Sequence, residues 1–231
     1  MDSSTHEIIH DCPPFFKVFE DGRVERCIDI NCIQANIIVI SIDYRLAPKH
    51  LLPIAYDDSW VGLQWVTTHA NEQGPEPWLN EKADLGRVFL AGESAGANIA
   101  HYVAVQAGVT KLVGLKIIGM LIVHPFFGSK ESNDYEMYKY ICPTNTSFYH
   151  DPKLNPEMDP NLKQMACDKV IVLVAEKDRL RSKGEAYYET LVKSGWGGSV
   201  EFFETKGEVH CFYVFHDNDN AEVLKDRKSV V

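Results

Sequence analysis

Four short apolar runs with almost no polar interruption punctuate the chain: NIIVISI (36–42), RVFLAG (87–92), KIIGMLIV (116–123) and KVIVLVA (169–175). Runs this short, rich in branched aliphatic residues and without polar alternation, predict strands buried on both faces of a sheet. A fifth stretch, SVEFFET (199–205), predicts one more strand. Helical patterns lie between them. Pro53 suits a first helical position, with Asp57 and Asp58 in the first turn and Trp60, Val61, Trp65 and Val66 behind them. Ile99, Val103 and Ala107 recur at helical spacing, and Gly108 is placed to end that helix. A third helix is expected from about Lys183 to Ser194, stopped by Gly195. Strands alternating with helices predict an α/β fold, a mostly parallel sheet with helices on both faces. Between about 126 and 169 the rhythm breaks. Tyr135, Tyr138, Tyr140, Phe148 and Tyr149 stand among Pro143, Pro152, Pro156 and Pro160, which predicts an irregular, cap-like excursion over the sheet.

Composition narrows the reading. The chain has 231 residues, 45% of them hydrophobic, enough for one sizeable core, so a single domain over 1–231 is expected. A net charge of -10 argues against nucleic acid or an acidic membrane surface as partner and favours a small, neutral or mildly polar substrate. The apolar segment LKIIGMLIVHPFF is too short to span a bilayer and is interrupted by His124 and Pro125, so no membrane partner is expected. Cys12, Cys27, Cys32, Cys142, Cys167 and Cys211 form no CxxC pair, and no signal-like segment lies near Met1. They read as reduced thiols of a cytoplasmic protein. Cys27 and Cys32 lack a second Cys/His pair at ligand spacing, so neither a metal nor a cofactor is expected.

The chemistry concentrates at strand ends. In an open parallel sheet, catalytic groups gather beyond the carboxyl ends of the strands. Ser94 lies in GESAG, directly after RVFLAG and at the start of a predicted helix. Gly92 and Gly96 would let the turn be tight and the helix approach the strand, leaving the hydroxyl exposed. The amide of Ala95 would face a developing oxyanion. A serine needs a base, and the base needs a carboxylate. Asp178 follows KVIVLVAEK and His210 follows the last strand, giving the order Ser, Asp, His. The competitors are weaker. Asp168 lies at the entering end of its strand, and His124 ends a strand but is followed by Pro125, with no carboxylate placed to orient it. Glu176 should point the same way as Asp178 but from nearer the sheet, and His216 could replace His210 if the last loop is longer.

Together, GESAGANIAHYV, VISIDYRLAPKHLLPIAYDDSW, HPFFGS, LNPEMDPNL, VLVAEKDRLRSKG and FETKGEVHCFYVF resemble the plant carboxylesterases of the hormone-sensitive-lipase-like group. That group also contains the gibberellin receptor and the 2-hydroxyisoflavanone dehydratases. The resemblance implies an α/β-hydrolase fold, with Ser94 as nucleophile, Asp178 as acid and His210 as base, acting on small carboxylic esters. Asp43, Tyr44, Arg45, Ala47 and Pro48 match a family signature, with Lys49 where the family usually has Glu. A buried Arg-carboxylate arrangement would fix that loop.

One part of the family pattern is absent. No His-Gly-Gly-Gly motif occurs, and the text passes from VERCIDI directly to NCIQANIIVI, so the chain reads as shortened between about residues 30 and 32. The linker from Arg26 to Asn36 is too short for a parallel crossover, so the sheet must close a gap or leave one. Each lost oxyanion donor costs on the order of 10² to 10³ in rate. Two alternatives to an esterase follow from the resemblance. The gibberellin-binding relatives typically replace the catalytic histidine, which is retained here as His210. The legume dehydratases tend to carry Thr where this chain has Ser94.

Overall fold

A computed structural model describes residues 8–12, 16–19, 24–26, 37–128, 134–143, 148–215 and 219–221. The chain divides into two units, residues 1–41 and 42–231. The first holds an antiparallel meander of β1 (Ile8–Cys12), β2 (Phe16–Phe19) and β3 (Val24–Arg26), whose register sets Lys17 opposite both Asp11 and Glu25. The strand expected at 36–42 is not formed over its described part. Residues 37–42 carry no strand, and Ile37 to Ile40 are 36–59% exposed. An apolar run becomes a strand only when a neighbour takes up its amides and carbonyls, and among the described residues this run has no such ladder.

The second unit is built on the four-stranded sheet β4 (Val88–Glu93), β5 (Ile117–Val123), β6 (Lys169–Ala175) and β7 (Ser199–Thr205), in that spatial order and parallel throughout. Among the described residues β4 has a strand on one side only. Helices α1 (Ile54–Thr67), α2 (Pro77–Lys82), α3 (Ala95–Thr110), α4 (Asp134–Ile141), α5 (Arg181–Lys193) and α6 (Phe212–Phe215) complete it. The short α2 has no counterpart among the helices expected from periodicity.

Strand alternation divides the core in two. Met120, Ile122, Val170, Val172 and Val174 face the cluster formed with α1, α3 and α5, while Leu121, Val123, Ile171, Leu173 and Ala175 face Phe212 and Ala221. Burying each such aliphatic side chain contributes roughly 1.5–3 kcal/mol, which explains why the central strands read as continuous apolar runs. The 126–169 excursion has its own cluster of Tyr138, Cys142, Phe148 and Leu154. It also has 3-10 turns at Phe148–His150, Pro156–Met158 and Leu162–Gln164.

Helix α3 is the axis of this unit, and it runs past Gly108 rather than stopping there. A Cβ on Gly108 would lie 1.7 Å from the Gln164 carbonyl oxygen, so the glycine admits the excursion, whose Ala166 amide donates to Ala104 O at 3.0 Å. The helix ends instead at Lys111, in the left-handed region at φ 52, with the Leu112 amide donating to Ala107 O. Asn98 ties α3 to two neighbours. It accepts from the Tyr56 hydroxyl at 2.6 Å and donates to Lys153 O at 2.6 Å. His101, on the same helix, is buried between Phe127 and Tyr187 and shares a 2.9 Å hydrogen bond with the Tyr187 hydroxyl.

Burial drives the His101 imidazole down to about 3 from its ordinary 6.5. Between those values the unfolded chain binds a proton that the folded chain refuses, so stability falls as pH drops through that window, by up to about 1.4 kcal/mol per pH unit from this group. Urea titrations at pH 7 and pH 5 are expected to show a smaller acid-induced loss for His101→Gln than for the parent chain. Equal losses would contradict the assignment.

Candidate active site

Ser94 sits where β4 turns into α3. Its backbone lies at φ 54, ψ -116, a conformation that non-glycine residues rarely adopt. A serine at a helix N-cap ordinarily turns its oxygen onto the first-turn amides. Here it makes no such side-chain bond, and the hydroxyl is free for other use. The turn is held from three sides: the Ser94 amide donates to Val123 O at 2.9 Å, and Ser94 O accepts from the Phe126 amide at 3.0 Å and the Asn98 amide at 3.4 Å. Gly92 is a steric requirement, because a Cβ there would lie 2.1 Å from the Gly96 carbonyl oxygen. Gly96 differs from the expectation: a Cβ there meets nothing within 4 Å. The close approach is of backbone to Gly92 alone. Ala95 opens α3, so its amide is among those left without an intrahelical acceptor.

Asp178 and His210 are brought together. The loop after β6 is stitched to the loop after β7 by backbone bonds from Glu176 N to Thr205 O and from Lys177 N to Glu208 O. The Asp178 side chain has no exposed surface, and a buried carboxylate needs compensating donors. It receives two: the Leu180 amide at 2.8 Å on Oδ1 and His210 Nδ1 at 2.6 Å on Oδ2. With Nδ1–H committed to the carboxylate, the other ring nitrogen is an acceptor on a side chain that remains 35% exposed.

The sequence neighbours of Ser94 and His210 are tied to one another. Glu93, directly before Ser94, accepts from the Cys211 thiol on Oε1 and from the Tyr213 hydroxyl on Oε2. His124, at the end of β5, accepts the Cys211 amide on Nδ1 at 3.0 Å, and its ring centroid lies 5.4 Å from that of His210. No sequence pattern groups these four residues. Glu93 and Cys211 are adjacent in sequence to Ser94 and His210, but they lie 118 positions apart, and His124 and Tyr213 lack even that adjacency. Donor atoms of His124, His210 and Cys211 lie within 4.8 Å of one another, a spacing that metal ligands also show. In this structure the three are engaged in the hydrogen bonds just described.

The competing residues fall elsewhere. Asp168 pairs with Lys116 at 2.8 Å, at the entering end of the strands. Glu176 receives the Gly207 amide at 2.8 Å and Lys206, which hold its carboxyl below the usual range. His216 lies outside the described residues, as do Cys27 and Cys32. Arg45 does meet a carboxylate, donating to Asp58 from its backbone amide, Nε and Nη2 at 3.0, 2.9 and 2.7 Å. The pair is not buried as expected, because the Arg45 side chain is 55% exposed. The fork geometry brings the Asp58 carboxyl down to about 2 and staples the loop to α1 without desolvating the guanidinium.

A family model described as alpha/beta hydrolase fold matches residues 20–214. A 2-hydroxyisoflavanone dehydratase of Glycyrrhiza echinata is 38% identical over 88% of this chain and 68% of its own. "Probable carboxylesterase 2" of Arabidopsis thaliana is 41% identical over 81% of this chain and 62% of its own. The chain thus spans roughly two thirds of the length of these relatives. Among solved structures, a hyperthermophilic esterase from Pyrobaculum calidifontis superposes with a TM-score of 0.70 at 22% identity, covering 86% of this chain and 67% of the other. A Rhizomucor miehei esterase structure superposes at 0.69 with 21% identity, covering 86% and 64%. No helix among the described residues is long and apolar enough to cross a membrane.

The unequal surroundings of the two glycines give a direct test. Gly92→Ala is expected to lose roughly 1–3 kcal/mol in urea unfolding, as overpacked sites do. Gly96→Ala, at an open helical position, is expected to match or exceed the parent by up to about 1 kcal/mol. Equal losses at both positions would contradict the turn described.

Proposed function

The chain belongs to the α/β hydrolase fold family, matched over residues 20–214, and from that premise we propose that it is a serine carboxylesterase acting on small carboxylic esters. The observation that supports this reading is an imidazole backed by a buried carboxylate, in a chain whose candidate serine sits on a left-handed strand-to-helix turn. In this reading Ser94 Oγ attacks the ester carbonyl while His210 Nε2 takes its proton. Asp178 holds the imidazole and offsets its positive charge. His210 then gives the proton to the leaving alcohol. Water, deprotonated by His210, attacks the acyl-enzyme, releasing the acid and returning the proton to Ser94. The Ala95 amide stabilises the oxyanion.

The absence of a His-Gly-Gly-Gly segment from the sequence sets the expected rate. Turnover should fall below that of a relative with the full donor set by on the order of 10²- to 10³-fold per missing donor. A cytoplasmic setting is part of the same proposal, resting on six widely spread cysteines without a CxxC pair in the sequence. The 38% identity to proteins named 2-hydroxyisoflavanone dehydratase in Glycyrrhiza echinata and Glycine max supports a second reading, elimination of water at the same site. Product analysis with a 2-hydroxyisoflavanone separates the two.

Ser94→Ala is expected to reduce hydrolysis of p-nitrophenyl acetate to the background rate and to abolish covalent labelling by a fluorophosphonate. His210→Gln should lower the labelling rate on the order of 10³-fold or more. Hydrolysis and labelling of Ser94→Ala at the parent rate would overturn the proposal.

A further inference from the structure

The acidic side chain between Gly92 and Ser94 has no role in the chemistry above, yet it is the acceptor for two donors from the segment that carries His210. The Cys211 thiol meets Oε1 and the Tyr213 hydroxyl meets Oε2, one and three residues beyond the imidazole. Cys211 itself lies in a left-handed turn at φ 56, with its amide on His124 Nδ1, so the chain reverses sharply just after His210. Burial, and then the Glu93 charge, push the Tyr213 phenol well above its ordinary value, so it donates as a neutral hydroxyl.

We propose that Glu93 is a positioning residue that sets the placement of His210 relative to Ser94. The assignment rests on the esterase reading for the roles of those two residues. Sheet order supplies the reason such a clamp is needed: Ser94 follows β4, whereas His210 follows β7 and takes its orientation from Asp178, which follows β6. Asp178 fixes the direction of the ring but belongs to the distant side of the sheet. Glu93 ties the strand bearing the serine directly to the loop bearing the imidazole. A carboxylate suits the position because both partners present hydrogens, and each of its oxygens accepts one. An amide offers a single carbonyl oxygen. Reacting groups displaced by about 1 Å lose on the order of 10² in rate, so a clamp acting at one remove can govern turnover.

The test uses Glu93→Ala, Glu93→Gln and Tyr213→Phe in the full chain, with p-nitrophenyl acetate turnover, the rate of fluorophosphonate labelling and proton NMR of the His210 Nδ1–H. Glu93→Ala is expected to lower kcat about 10- to 100-fold with KM within about two-fold, and Glu93→Gln and Tyr213→Phe to lower it less. The labelling rate should fall in parallel, and the downfield His210 Nδ1–H signal should broaden in the same order. Parent kcat, parent labelling and an unchanged signal in all three variants would overturn the proposal. If the parent chain is not labelled at Ser94, the esterase reading fails by itself. The NMR signal then decides the clamp, broadening in its favour and an unchanged line against it. If Glu93→Ala fails to fold, the same readouts on Glu93→Gln and Tyr213→Phe decide for or against the clamp.

Discussion

The site depends on one hydrogen bond, between a carboxylate with no exposed surface and an imidazole that still reaches solvent. A charge in that position is tolerated only because donors meet it, and the Leu180 amide and His210 Nδ1 do so. In return the ring is committed to one tautomer and one direction. The surrounding architecture serves this bond. Parallel β6 and β7 deliver the two loops to the same end of the sheet, and backbone bonds across Glu176–Thr205 and Lys177–Glu208 lock them in register.

The serine side obeys a different constraint, which is backbone crowding. Gly92 is needed because the Gly96 carbonyl occupies the space where a Cβ would stand, and Ser94 accepts a left-handed backbone in consequence. That conformation is held by bonds to Val123 and Phe126, both from the end of β5, so the central strand carries the strain. Asn98 and His101 then fix the helix that follows, one to α1 and the excursion, the other to α5. Nucleophile turn, core helix and cap-like excursion form one mechanical unit.

Most of this is legible in the sequence where a local signal coincides with a strand end. β5, β6 and β7 announce themselves as apolar or alternating runs, and Ser94, Asp178 and His210 lie one, three and five residues beyond the ends of β4, β6 and β7. What escapes a reading of the sequence depends on partners far along the chain. The run at 36–42 has strand composition, but its described residues 37–42 have no ladder among the described residues, because pairing and not composition makes a strand. Gly108 reads as a helix stop by local rules, yet it serves the approach of Gln164. Arg45 is paired with a carboxylate as expected, but in an exposed setting that residue types alone do not reveal. The ties from Glu93 to Cys211 and Tyr213 follow no spacing rule, since they join residues that only sheet topology brings together.

The proposed function requires Ser94 and His210 to work as a pair. A crystal structure of the protein after reaction with a fluorophosphonate tests that pairing most directly. The expected result is phosphorus bonded to Ser94 Oγ, His210 Nε2 within about 3 Å of that adduct's oxygen, and Nδ1 still on Asp178. An adduct on another residue, or a His210 ring turned away from Ser94 with its bond to Asp178 intact, would contradict it.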